Sequence, residues 1–302
     1  MFGKRALKKR FEIFLSEVNS VRNRFDADPI HDLRVASRRF HAAALLFGES
    51  VSSAVVTECE KKVRRIRKSA GAVRDGDVQI ASVSVLLKKR ISRRYRSGLE
   101  RLLLRLSQQR EKRVRRVVAA IDAFDKSKTS LRMNQSLIAR SPVRPAAGSL
   151  PLRRRAAREI LLRLEQLKRF EQFVHQPTAV TELHAMRIEA KRLRYVMEIF
   201  APLYGGKLKP FIKTVRSIQE SLGNMHDCDV WIETLPLFLE RERLRTAKYF
   251  GDSSSFYRIE RGIVFFVDNV RTQRLRYYRS FVRTWMLASR RSLWSRLITT
   301  IT

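Results

Sequence analysis

Residues 31–47 read HDLRVASRRFHAAALLF, and residues 184–200 read HAMRIEAKRLRYVMEIF. Placed on a helix at ~100° per residue, each stretch sorts into two sides. In the first, Leu33, Ala36, Phe40, Ala43, Ala44 and Phe47 form a core stripe, and His31, Arg34, Arg38 and His41 gather opposite it. In the second, Met186, Leu193, Val196, Met197 and Phe200 face one way, and His184, Arg187, Lys191 and Arg194 face the other. Laid over one another, His31/His184, Arg34/Arg187, Arg39/Arg192 and Phe47/Phe200 coincide, and Arg38 meets Lys191. Glu189 intrudes at the edge of its core stripe, where a local salt bridge is the expected use.

Downstream of each helix lies a second matching block. VRRIRKSAGAVRDGDV (63–78) aligns with VRSIQESLGNMHDCDV (215–230), identical at half of its positions and ending both times in G-x-x-x-D-x-D-V. Two blocks in the same order at nearly the same separation make an internal repeat. Gly (11) and Pro (8) are sparse, apolar residues recur at helical spacing, and no strand alternation is present, so the chain is expected to be all-α. The periodicity predicts helices at about 4–25, 29–47, 51–71, 75–90 and 92–124, then about 151–174, 179–200, 207–223, 227–246 and 254–290. Residues 126–151, with Pro142, Pro145, Gly148, Pro151 and several serines, read as a linker or surface loop. The organisation expected is one domain over 1–302: a first helical repeat (1–125), a linker loop (126–150) and a second repeat (151–302).

The 302 residues carry 64 Lys plus Arg against 29 Asp plus Glu, a formal net charge of +35, which repels itself unless a polyanion relieves it. Nucleic acid, an anionic membrane or another phosphate polymer are the partner classes this suggests. A hydrophobic content of 44% makes the chain globular, not disordered. The two cysteines, Cys59 and Cys228, cannot form a disulfide framework, and no C-x-x-C exists to hold zinc. The start, MFGKRALKKRFEIFL, interrupts its apolar positions with charge, unlike a signal peptide, and no run reaches the ~18 apolar residues of a membrane span. The expected setting is the cytosol.

Like charges at i,i+4 repel, yet Arg34/Arg38 and Arg187/Lys191 accept that repulsion, and almost no Glu interleaves them. The ordinary reading of such a row is a solvated face. The histidines point further. Asp28 as N-cap with Pro29 first in the helix puts His31 at the third position, and Thr181 as cap does the same for His184. Unpaired N–H groups and the positive helix end gather there, so each imidazole is expected in a small anion site that Arg continues one turn on. Lys61, Arg64, Lys68 and Arg74, with Lys213 and Arg216, extend the basic surface at helical intervals. Asp75-Gly-Asp77 and Asp227-Cys-Asp229 raise the question of Mg²⁺, but each pair follows a glycine break and is expected to cap the helix it opens. His226 and His175 receive no role.

The paired H-x-x-R-[VI]-x-x-[RK]-R helices and the two G-x-x-x-D-x-D-V blocks resemble the CHAD domain, the conserved histidine α-helical domain. His31 to Arg39 and His184 to Tyr195 carry the likeness, with IQESLG at 218–223, and it covers about residues 5–290. The resemblance implies two tandem helical bundles related by a pseudo-twofold, with a basic central groove or pore that binds inorganic polyphosphate. Family members are often fused to a triphosphate-tunnel catalytic domain; the chain has no room for one and no Glu-x-Glu-x-Lys signature, so a stand-alone, non-catalytic binder is expected. Polyphosphate has no bases, so its reader needs spaced Arg, Lys and His donors and no stacking platforms. The candidate set is therefore His31, Arg34, Arg38, Arg39, His41, Lys61, Arg64, Lys68, Arg74, His184, Arg187, Lys191, Arg192, Arg194, Lys213 and Arg216, with Tyr195 the one aromatic beside it. No metal or cofactor is implied. The alternative is a nucleic-acid-binding basic protein, for which single-strand platforms and RNA motifs are lacking. Catalysis through His31 or His184 would call for metal-holding carboxylates or a phosphate-cradling glycine loop. Docking on anionic lipid competes with the core for the apolar stripes. Association with polyphosphate granules is the expectation by analogy with relatives.

Overall fold

The computed structural model describes residues 2–138 and 152–302, and the chain is all-α. Ten helices are present among these residues. They are α1 (Phe2–Asn23), α2 (Ala27–Phe47), α3 (Ser53–Lys88), α4 (Arg93–Lys126) and α5 (Thr129–Ile138), then α6 (Leu152–Lys168), α7 (Val180–Phe200), α8 (Lys209–Phe250), α9 (Tyr257–Arg290) and α10 (Leu293–Ile301). No helix among the described residues is long and apolar enough to cross a membrane. Contacts group residues 2–91 with 100–138 as one unit, and 92–99 with 152–302 as a second. The first turns of α4 therefore pack with the second unit and the rest of that helix with the first.

Most expected helices are present, and four differences have physical causes. The pairs 51–71/75–90 and 207–223/227–246 are single helices, α3 and α8, which run unbroken through Gly71 and Gly223. Part of the expected linker is helical, because Thr129, Met133 and Leu137 of α5 lie one turn apart and are buried, with α5 packed on α3. The remainder of that stretch, 139–151, lies outside the described residues. α6 ends at Lys168, short of the expected 174, and a further helix, α10, buries Leu293, Trp294, Leu297 and Ile301. α8 ends where Gly251 takes a left-handed conformation, φ +81°.

In the first unit α1 lays Leu7, Phe11, Phe14, Val18 and Val21 on α2 at helical spacing. Phe40 of α2 meets Phe11 and Phe14 at centroid distances of 5.3 and 6.1 Å, and Phe124 closes edge-on against Phe14 at 5.8 Å. In the second unit α7 packs between α6 and α8, and α8 pairs with α9. Trp231 sits edge-on to Phe266, and Trp285 packs at a tilt between Phe281 and Trp294. α9 also fixes the turn ahead of α7: Tyr278 donates to the Val174 carbonyl and Trp285 to Glu171. Gly98 and Gly262 bring α4 and α9 together so closely that their Cα atoms take up the space of side chains; a Cβ on either would stand 2.9 Å from the other's Cα. Tyr95 stacks flat on Phe265 beside this crossing, centroids 4.3 Å apart. Cys59 and Cys228 are free and buried, and burial pushes both thiols up to about 12.

Phe40 is fully buried against the rings of Phe11 and Phe14, so Phe40→Ala is expected to cost about 3–5 kcal/mol, read as a lower urea midpoint. A loss below about 1 kcal/mol would show that this cluster does not organise the first unit.

Candidate functional site

The two charged rows sit on α2 and α7, but the helix starts differ from expectation. Asp26 and Ala179 occupy the N-cap positions, and neither makes a side-chain cap bond. Asp28 and Thr181 thus lie inside the first turns, and His31 and His184 each fall at the fifth helical residue. The positions still match one another. They lie past the leftover N–H groups, since Ile30 and Leu183 already donate to the Asp26 and Ala179 carbonyls. An anion site made of helix-end amides at the histidines is therefore not what the fold builds; the neighbours of each imidazole are side chains.

Those neighbours come from the next helix. His31 is exposed, and its pKa is lowered first by partial burial and then by the charges of Arg74 and Arg34, against Asp32 and Asp28. His184 is half-buried, its ring centroid 3.9 Å from that of His226 on α8. Its pKa is lowered first by burial, then by His226, Arg187 and Lys191, with Asp229 opposing. Arg74 and His226 occupy the same place in the repeated block. His226 was readable from that alignment, opposite an arginine already in the candidate set.

The glycine of each block explains the unbroken helices. Arg34 crosses α3 beside Gly71, where a Cβ would stand 3.7 Å from Nε, and Arg187 crosses α8 beside Gly223, where the gap would be 3.2 Å. Glycine inside a helix costs about 1 kcal/mol relative to alanine; at Gly223 it leaves room for a guanidinium.

The aspartates then have different work from capping. Asp75 pairs with Arg34 at 3.1 Å, with its carboxylate 65% exposed. Asp77 accepts from Arg110 of α4 at 2.5 Å and is only 5% exposed. Arg110 also donates to the Phe25 carbonyl in the loop before α2, at 2.6 Å. The second unit repeats this: Arg274 of α9 pairs with Asp229 and donates to the Pro177 carbonyl before α7, at 2.9 Å. One arginine thus ties the entry of each histidine helix to the D-x-D block. Arg110 and Arg274 were missed by sequence reasoning. The signal was the dipeptide Gln-Arg, 109–110 and 273–274, in two long helices that hold matching places.

Several expected members of the row are neutralised or turned inward. His41 Nδ1 lies 2.6 Å from Glu60 of α3, which also pairs with Arg67 at 3.5 Å. The His41 pKa is lowered by burial and by Arg67, against Glu60. Arg194, its counterpart, pairs with Glu198 at 3.0 Å and donates to Gln219 at 2.9 Å, while Arg216 reaches the same Glu198 at 3.6 Å. Tyr195 is buried, with the Arg194 guanidinium 4.8 Å over its ring, so it packs and does not face a ligand. Arg192 is exposed and holds Glu189 at 2.5 Å, the local bridge expected for that carboxylate. Arg38, Arg39 and Lys191 are half-buried, and Arg38 and Arg64 both act on Arg67. Lys61, Arg64, Lys68 and Lys213 are exposed and enter no ion pair among the described residues. What the fold brings together is His31, Arg34 and Arg74 in one unit, and His184, Arg187, Lys191 and His226 in the other.

The model of the CHAD domain family matches residues 5–236. Two solved structures share the fold at low sequence identity. The CHAD domain from the plant Ricinus communis is 18% identical, with a TM-score of 0.68 over 94% of this chain and 90% of that one. PptA from Streptomyces chartreusis is 14% identical, with a TM-score of 0.64 over 94% of this chain and 98% of that one. No curated protein matches the chain.

The two aspartates of a D-x-D block are expected to differ in stability cost. Asp77→Ala leaves Arg110 without its buried carboxylate and should lose about 3–5 kcal/mol in urea denaturation. Asp75→Ala removes an exposed partner and should lose under about 1 kcal/mol. Equal losses would mean that the Arg110 bridge does not hold the first unit together.

Proposed function

The chain belongs to the CHAD domain family, and from that premise we propose that it binds inorganic polyphosphate through the His, Arg and Lys faces of α2–α3 and α7–α8. The observation that carries the proposal is the repetition of one arrangement: a largely neutral imidazole, an arginine laid over a glycine, and a cation or second imidazole from the next helix. Guanidinium and ammonium groups make charge-assisted bonds to phosphoryl oxygens, and spaced donors suit a flexible chain of linked phosphates. In the fullest form of the proposal one long polymer engages both rows, in the basic groove that the family resemblance implies.

The reading is of a binder and not an enzyme. It is supported by the work the nearby carboxylates already do, since Asp75, Asp77 and Asp229 serve Arg34, Arg110 and Arg274. No cluster of three metal-ligating side chains exists among the described residues. A cytosolic setting and attachment to polyphosphate granules belong to the same proposal.

Calorimetry with polyphosphates of defined length tests it. A charge-assisted bond contributes about 1.5–3 kcal/mol, so Arg34→Ala with Arg187→Ala should weaken binding about 100-fold or more. RNA at equal phosphate concentration should not displace the polymer; displacement would turn the assignment to nucleic acid.

The pH dependence follows from the histidines. Both pKa values are lowered in the free protein, and contact with phosphate raises them. Protons are therefore taken up on binding. Affinity should climb as pH falls from about 8 through the imidazole range, the gain being complete below the lowered free-protein pKa and lost as pH rises through the bound one. His31→Gln with His184→Gln should flatten the slope, and an unchanged slope would place the histidines away from the polymer.

A further inference from the structure

Apart from the histidine rows, α6, the turn from Tyr204 to Lys207 and the end of α10 line an open cavity of about 890 Å³ within the second unit. That volume suits a small molecule of nucleotide size. Its wall is divided in character. Arg153, Arg154, Arg158 and Lys207 bring four cations to it against one carboxylate, Glu165. Arg154 and Arg158 stand one turn apart on α6, a like-charge spacing that disfavours the bare helix and that an anion would relieve. Arg153 is tied in place through the Leu203 carbonyl at 3.1 Å. On the other side Leu161, Leu162 and Ile301 offer an apolar surface.

Tyr204 lies between the two sides and is only 7% exposed. Its phenol oxygen is wholly buried, so the hydroxyl does not reach the cavity. Inorganic phosphate would satisfy the cations and leave the apolar side bare. An acyl chain would need a longer apolar wall than three side chains supply. A ligand that joins an anionic end to a flat, largely apolar ring fits the divided wall better, the anion meeting the cations and the ring lying on Leu161, Leu162 and Ile301.

We propose that this cavity binds a nucleoside diphosphate, with the phosphates on Arg153, Arg154, Arg158 and Lys207 and the base against Leu161, Leu162 and Ile301. A diphosphate terminus carries about three negative charges near neutral pH, which matches the excess of cations.

ADP is the probe, titrated by calorimetry without divalent cation at physiological salt. One ADP per chain is expected, with pyrophosphate and adenosine each at least tenfold weaker. Ala157→Phe, which fills the cavity without removing a charge, should weaken ADP at least tenfold and leave long polyphosphate unaffected, which also verifies its folding. Arg154→Ala should weaken ADP at least tenfold, as for one charge-assisted bond. The pair Arg34→Ala and Arg187→Ala should keep ADP affinity while losing polyphosphate, so the two proposals fail separately. Pyrophosphate binding as tightly as ADP, unchanged ADP binding in Ala157→Phe, or ADP lost only in the arginine pair would each overturn the assignment.

Discussion

In each unit one arginine bridges a carboxylate, buried at Asp77 and half-buried at Asp229, and a main-chain carbonyl, and the placement of the histidine helix depends on it. Arg110 holds Asp77 and the Phe25 carbonyl; Arg274 holds Asp229 and the Pro177 carbonyl. Charge-assisted bonds inside a protein are stronger than their exposed counterparts. The loop that starts α2 or α7 is therefore anchored to α3 or α8 before any ligand arrives. With the loop fixed, His31 and His184 stand at the same helical position, opposite Arg74 and His226. A site that meets a polyanion gains from such support, because donors held in position lose little freedom on binding.

This support also explains how a chain with so large a positive charge remains folded. Its carboxylates are few, and the ones beside the rows are placed where cations are buried or crowded. Glu60 serves His41 and Arg67, and Glu198 serves Arg194 and Arg216. Charge at the helix–helix contacts is balanced locally, while Lys61, Arg64, Lys68 and Lys213 keep their charge in water. The two units reach the balance differently. The first pairs an exposed imidazole with an arginine, the second a half-buried imidazole with another imidazole. The repeat conserves an arrangement and exchanges the groups that make it.

Much of this was legible in the sequence, and the failures are instructive. The all-α class followed from periodicity and scarce glycine, and the duplicated helices and blocks followed from alignment. Two signals were misread because each has a common local meaning. Gly71 and Gly223 read as helix breaks, and the aspartates after them as caps. Both glycines sit in mid-helix with an arginine from a neighbouring helix beside them, closely enough at Gly223 to crowd a Cβ, which nothing within their own segments reveals. The partners of Asp77 and Asp229 come from helices more than thirty residues downstream, beyond the reach of spacing arguments. The setting of His41 likewise rests on Glu60 and Arg67, residues of another helix. That of Arg194 rests on Glu198, one turn along and readable from spacing alone.

The crossing of Gly98 and Gly262 has a consequence for how this chain can change over generations. Every single-nucleotide substitution that exchanges glycine for another amino acid installs a Cβ. At either position that atom would collide with the main chain of the facing helix, not with a side chain able to swing aside. The crossing therefore cannot be altered by gradual exchange of one residue for a slightly larger one. Two silent-looking positions, far in sequence from every histidine and arginine of the rows, are among those least free to drift.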